Sequence, residues 1–117
     1  MLVAAITAAV FLPALSNGFV KWDDWKALLE NPAYRGLGLN QLRWMFSTTY
    51  FCNYQPVSWM TLGLDFTLWG MRPFGYHLTS LLFHCANAVA FYFLCLSFWG
   101  NERPQDEDRC SAAFAAL

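Results

Sequence analysis

Residues 76–99 read "YHLTSLLFHCANAVAFYFLCLSFW" and lie within the longest uncharged segment of this chain. This stretch contains no Asp, Glu, Lys or Arg, and most of its side chains are apolar. A helix needs about 20 consecutive apolar residues to cross the hydrocarbon core of a bilayer. The stretch therefore predicts a transmembrane helix, which we expect to end at Gly100.

The composition of the whole chain is also typical of a membrane protein. Of its 117 residues, 57% are hydrophobic and only 13% are charged, whereas an ordinary soluble domain has about a quarter charged residues. The net charge of -1 offers no basic surface to nucleic acid, so we exclude that class of partner. His77 and His84 have no acid or thiol at a matching spacing, so no metal site is predicted.

Two further apolar segments lie on either side of the long one. Residues 1–15 read "MLVAAITAAVFLPAL" and predict most of a first transmembrane helix whose start is missing; residues 110–117 read "CSAAFAAL" and predict the start of a third. We therefore expect an all-α, polytopic membrane protein fragment with a long outer loop. The expected segments are a first transmembrane helix (1–15), an extracytoplasmic loop (16–75), a second transmembrane helix (76–99), a short hydrophilic loop (100–109) and the third helix (110–117).

The long loop contains three short helical patterns rich in aromatic residues. They read "DDWKALLENP" (23–32), "LNQLRWMF" (39–46) and "PVSWMTLGLDFTLWG" (56–70). Aromatic rings are favoured where lipid meets water, so we expect these helices to be amphipathic and to lie on the membrane surface. The loop is placed on the non-cytosolic side because long loops translocate with little regard to charge, whereas short loops set the topology.

An acidic pair, Asp23 and Asp24, stands between Trp22 and Trp25. Neighbouring residues of a helix point about 100° apart, so the two carboxylates cannot face one reacting atom together. Either one acid acts as a catalytic base and the other supports it, or one is the N-cap of the helix "WKALLE" and the other is solvated. A site at the edge of the bilayer favours the base, because a carboxylate there is partly desolvated.

The long apolar segment carries one polar stripe. His77, Ser80, His84 and Asn87 are spaced so that they share one face of a helix. Unpaired polar groups are costly in hydrocarbon, so this face must point into a helix bundle or a water-filled cavity. Both packing against other helices and binding of a substrate fit the stripe.

Asp65 is the only charged residue between Arg43 and Arg72. Two structural roles are open to it, a bond to the end of a neighbouring helix or an ion pair with Arg72. In a functional role it orients one of the paired acids or a sugar hydroxyl.

Three stretches resemble the polytopic glycosyltransferases of the GT-C superfold that carry tetratricopeptide repeats at their C-terminal end, relatives of the transmembrane O-mannosyltransferases. The stretches are "GFVKWDDWKALLENPAYRGL" (18–37), "NYQPVSWMTLGLDFTLWG" (53–70) and "RPFGYHLTSLLFHCANAVAFYFL" (72–94). The resemblance implies the N-terminal part of an enzyme that transfers a sugar, with mannose suggested, from a polyprenyl- or dolichyl-phosphate donor to a protein or glycan hydroxyl. It implies no cofactor, and it implies an integral protein of the bacterial inner membrane or of the endoplasmic reticulum, with its active-site loop on the non-cytosolic side.

The resemblance also implies roles for particular residues. Asp23 and Asp24 match the family's catalytic acidic pair, Asn31 its following Asn and Asp65 its loop-helix acid; His77, His84 and Asn87 match its helix face. Arg35, Arg43 or Lys26 is expected to meet the phosphate of the donor. We favour Asp23 as the base, although the motif itself does not decide between Asp23 and Asp24. Gln55 is a departure, because the family has His at this position.

Two other classes of protein compete with an enzyme. A non-catalytic membrane module would use the polar stripe for helix packing and assembly. A transporter or proton relay would use the same stripe, but such relays usually need carboxylates in their helices and these apolar spans have none.

Overall fold

The computed structural model describes residues 2–101, and they form helices and connecting segments without a β-strand. An all-α fold is thus confirmed for this part of the chain. The helices are α1 (Leu2–Phe11), a 3₁₀ helix (Leu12–Ser16), a short π-helix (Trp25–Leu29), α2 (Leu39–Ser47), a 3₁₀ turn (Tyr50–Cys52), α3 (Pro56–Trp69) and α4 (Pro73–Asn101). The expected third span, residues 110–117, and most of the hydrophilic loop before it lie outside the described residues.

Helix α4 contains the long apolar segment, residues 76–99. Its segment Pro73–Phe98, 26 residues, is long and apolar enough to cross a membrane. The helix begins three residues before the predicted Tyr76, because Pro73 has the fixed φ that suits a first helical position. It also continues through Gly100, where we expected it to end.

The N-terminal segment packs alongside α4. Helix α1 ends at Phe11 and passes into the 3₁₀ helix that contains Pro13, a residue that cannot continue the α-helical hydrogen bonds. Residues Leu2–Ser16 are apolar but shorter than a full span. The structure therefore shows one candidate span in residues 2–101, and the count of two or three spans and the segment boundaries remain predictions.

The loop segments pack around an aromatic core of their own. Leu28, Tyr34, Met45 and Trp59 are buried together with Tyr76 from the first turns of α4. The hydroxyl groups of Tyr34 and Tyr76 lie 3.3 Å apart, within hydrogen-bonding distance. This core fixes the position of the loop relative to the start of the candidate span.

One close crossing holds the loop against α3. A Cβ atom at Gly63 would lie 2.7 Å from the carbonyl oxygen of Gly36 and 2.9 Å from that of Tyr34. The backbone around residue 35 therefore passes directly over α3 because Gly63 has no side chain.

The turn that follows the acidic pair is wound wider than an α-helix. In the π-helix Trp25–Leu29, the amide of Glu30 donates to the carbonyl of Trp25 at 2.9 Å. The guanidinium Nη2 of Arg35 donates to the carbonyl oxygens of Leu28 (3.2 Å) and Leu29 (2.7 Å). Arg35 thus satisfies carbonyls that the end of a short helix leaves free.

Candidate functional site

A pocket of about 400 Å³ opens beside the acidic pair. We call it the loop pocket, and its lining residues are Asp23, Ala27, Phe51, Asn53, Gln55, Trp59 and Leu62. The short helix after the acidic pair provides one wall, the segment before α3 provides another, and α3 itself contributes Trp59 and Leu62. Residues about thirty positions apart in the sequence therefore meet in one cavity.

The wall formed by residues 51–55 has an unusual backbone. Phe51 and Cys52 have φ values of 58° and 59°, in the left-handed region that residues other than glycine rarely adopt. Tyr50, directly before them, donates from its hydroxyl to the carbonyl oxygen of Lys26 at 3.2 Å. This bond links the two walls of the loop pocket, and the sharp turn at Phe51 and Cys52 brings Asn53 and Gln55 to its lining.

The two acids of the pair have different surroundings. Asp23 is exposed and lines the loop pocket. Asp24 is half-buried, and its Oδ2 accepts a hydrogen bond from the backbone N–H of Val20 at 3.0 Å. Asp24 makes no side-chain cap to the helix "WKALLE"; its carboxylate stabilises the preceding turn instead.

Asp65 is 3% exposed and is bound to the long helix. Its Oδ1 accepts a hydrogen bond from the hydroxyl of Thr79 in α4. Burial raises the pKa of this carboxyl, and the hydrogen bond from Thr79 opposes that rise in part. Of the roles open to it from sequence, a bond to a neighbouring helix is therefore the one that the structure shows.

Three members of the polar stripe share a second cavity, the helix pocket, between the 3₁₀ helix and α4. It has a volume of about 250 Å³ and is lined by Phe11, Ala14, His77, Ser80, Leu81 and His84. The ring of His84 meets that of Phe11 edge-on, with centroids 4.6 Å apart. Asn87 is exposed and is not among the lining residues.

The basic residues expected near a phosphate have different surroundings. Arg35 is occupied by the carbonyls of Leu28 and Leu29, and its guanidinium also lies over the ring of Phe66 at 5.8 Å. Arg43 and Lys26 have exposed side chains. Neither lines the loop pocket.

Sequence reasoning missed several residues that the structure brings to these sites. Asn53, Trp59 and Thr79 lie in the stretches that resemble the family, but the sequence predicted no role for any of them. Gln55 had one indirect signal in the sequence, because it stands where the family has His. Residues 2–101 contain no group of three or more His, Cys, Asp or Glu side chains that could hold a metal ion.

The known proteins that this chain is similar to are protein O-mannosyl-transferases. The chain is 26% identical to protein O-mannosyl-transferase TMTC3 of Homo sapiens over 86% of its length. It is 27% identical to protein O-mannosyl-transferase TMTC3 of Mus musculus over 99% of its length, and 31% identical to protein O-mannosyl-transferase Tmtc1 of Drosophila melanogaster over 70%.

The chain spans only 12% of the length of the two mammalian proteins and 10% of the insect one. No family model and no solved structure matches it. The resemblance seen in the three sequence motifs is nevertheless confirmed, and the chain is related by sequence to the protein O-mannosyl-transferases.

Proposed function

We propose that this chain is part of an integral-membrane glycosyltransferase that transfers a sugar from a polyprenyl- or dolichyl-phosphate donor to a hydroxyl group on the non-cytosolic side. The names of the relatives support a glycosyltransferase and favour mannose as the sugar and protein as the acceptor. The apolar length of α4 supports a place in the membrane. The non-catalytic membrane module is not favoured by these relatives.

The observation that carries the proposal is the position of Asp23 in the loop pocket beside Asn53 and Gln55. In the proposed step, the Asp23 carboxylate takes the proton of the acceptor hydroxyl as its oxygen bonds to the anomeric carbon. The bond from that carbon to the phosphate oxygen breaks, and its electron pair leaves with the lipid phosphate. Such a leaving group needs no general acid, so one carboxylate is enough.

Asp23 is the better candidate for the base because the carboxylate of Asp24 is already hydrogen-bonded to the backbone. The Oδ2 atom of Asp24 already accepts from the amide of Val20, and Asp24 does not line the loop pocket. A base must reach the proton that it abstracts, directly or through one water. Asp24 is accordingly assigned the supporting role of holding the turn before the short helix.

The donor's isoprenoid tail stays in the bilayer, so the site has to lie at the membrane surface. Trp22, next to Asp23, is 80% exposed, and Trp25 is 43% exposed. Aromatic rings of this kind are enriched where headgroups meet water. We propose that they hold the loop at the interface, with α1 and α4 entering the bilayer beside it.

The proposal is tested by assaying the complete protein in membranes against a panel of polyprenyl-phosphate sugars and an acceptor peptide rich in Ser and Thr. We expect transfer from at least one donor, with the mannose donor the best. Absence of transfer from every donor, in membranes that contain the folded protein, would contradict the proposed function.

A further inference from the structure

We propose that the loop pocket is a site for an uncharged polyol, in which the carboxamides of Asn53 and Gln55 bind hydroxyl groups of the sugar or of the acceptor, while the donor phosphate binds elsewhere. This inference rests on the proposed function and deepens it, because it assigns two residues to substrate recognition. It also states which part of the substrate the pocket takes.

The lining of the loop pocket excludes an anion. Its polar side chains are one carboxylate, Asp23, and two carboxamides, Asn53 and Gln55; no Lys, Arg or His is among the residues that line it. A phosphate group beside Asp23 would meet a like charge with no cation to offset it. The ligand is therefore expected to be uncharged where it occupies this pocket.

The chemistry of the carboxamides fits hydroxyl groups. A carboxamide offers two N–H donors and an acceptor oxygen, and each hydroxyl of a sugar both donates and accepts. Trp59, Phe51 and Leu62 add apolar surface to the same cavity, against which the C–H face of a sugar ring can pack. Trp59 is also 1% exposed, and its indole Nε1 has no hydrogen-bond partner among the described residues. A buried donor without a partner is uncommon in native structures.

The backbone next to Asn53 supports a recognition role. Phe51 and Cys52 both adopt left-handed φ values, and such conformations persist only when the surrounding structure holds them. Here the ring of Tyr50 packs edge-on against those of Phe51 and Trp59, with centroids 4.8 Å and 5.8 Å away. The hydroxyl of Tyr50 also bonds to Lys26 on the opposite wall. The segment that presents the two carboxamides is thus fixed relative to Asp23.

The test uses the complete protein in lipid nanodiscs and two readouts. The first is binding of methyl α-mannopyranoside and methyl α-glucopyranoside, measured by saturation-transfer NMR with inorganic phosphate as a competitor. The second is the KM and kcat of sugar transfer. The variants are Asn53→Leu and Gln55→Leu, which remove the hydrogen bonds, and Gln55→His, which keeps a donor and an acceptor. Asn40→Leu, at an exposed position of α2 outside the pocket, is the matched control.

We expect each leucine variant to weaken glycoside binding by about tenfold, the effect of losing one well-made hydrogen bond. Gln55→His should recover most of the affinity, Asn40→Leu should leave it unchanged, and phosphate should not compete. The inference is overturned if the wild-type protein binds neither glycoside, if the leucine variants bind as the wild type does, or if phosphate displaces the sugar.

The two readouts separate this inference from the proposed function. If no donor supports transfer but the leucine variants lose glycoside binding, the polyol site stands and the proposed function fails. If Asp23→Asn abolishes transfer but Asn53→Leu and Gln55→Leu leave both KM and glycoside binding unchanged, the proposed function stands and the polyol site fails.

Discussion

Thr79 in α4 donates a hydrogen bond to the buried carboxylate of Asp65 in α3. The pair joins the long apolar helix to the core of the loop, fourteen residues earlier in the chain. A buried carboxylate is tolerated only when its oxygens find partners. The Thr79 hydroxyl is therefore part of what holds the loop at a fixed position beside the candidate membrane span.

Replacing Thr79 by Val keeps the shape of the side chain but removes its donor. The carboxylate of Asp65 would remain buried without that bond, so we expect a loss of about 1–3 kcal/mol of stability. Thermal unfolding of the detergent-solubilised protein, followed by circular dichroism, measures it. Thr79→Ser, which keeps the hydroxyl, is the control, and equal melting temperatures for the Val variant and the wild type would refute this role.

The pH dependence of stability gives a second test of Asp65. Burial raises its folded-state pKa above the ordinary value of 3.8, so the folded protein holds this proton more tightly than the unfolded chain does. The contribution of Asp65 to stability is then fully present below about pH 4 and is lost as the pH rises through the folded-state pKa.

We therefore expect the melting temperature of the wild type to fall, relative to that of Asp65→Asn, as the pH is raised above about 4. Taking the difference between the two proteins removes the contributions of other titrating groups. A difference that stays constant, or that grows in favour of the wild type toward neutral pH, would contradict the assigned shift.

Gly63 is expected to tolerate no side chain. A Cβ at this position would meet the carbonyl oxygens of Gly36 and Tyr34 at 2.7 Å and 2.9 Å, and backbone atoms cannot move aside as the end of a side chain can. Gly63→Ala should therefore destabilise the protein by about 1–3 kcal/mol. Gly18→Ala is the matched control, because a Cβ added at Gly18 would have nothing within 4 Å. Similar melting temperatures for the two variants would show that the crossing over α3 is looser than described.

We expect Arg35 to contribute to the stability of the fold and Arg43 to contribute little. The Arg35 guanidinium donates to the carbonyls of Leu28 and Leu29, and hydrogen bonds from a charged donor contribute about 1.5–3 kcal/mol. Arg35→Met should lower the melting temperature, while Arg43→Met, at an exposed position, should not. If Arg35→Met left stability intact and raised only the KM for the donor, contact with the donor phosphate would be the better assignment.

The helices were largely predictable because their signals are local. Apolar length predicted α4, and Pro56 and Gly70 bracket α3 in the sequence as they do in the structure. The face shared by His77, Ser80 and His84 follows from helical spacing alone, and the structure places these three in one pocket.

The candidate site was predictable only in part because its signals are not local. The acidic pair was visible in the sequence as two charges at an apolar boundary, but the hydrogen bond that distinguishes Asp24 from Asp23 comes from the backbone amide of Val20. Asn53 and Gln55 line the same pocket as Asp23 after a left-handed turn at Phe51 and Cys52, which no residue preference predicts, since glycine is absent there. The bond from Thr79 to Asp65 likewise depends on how α3 and α4 pack.

The proposed role of Asp23 as the base is tested by comparing the initial rate of sugar transfer by Asp23→Asn and Asp24→Asn in the complete protein, at equal amounts in the same membranes. We predict that Asp23→Asn lowers kcat by about 10²- to 10⁴-fold, the usual contribution of a general base. Asp24→Asn should stay close to the wild type, because an Asn side chain still offers an oxygen to the amide of Val20. A wild-type rate for Asp23→Asn, or loss of transfer in Asp24→Asn alone, would contradict the claim.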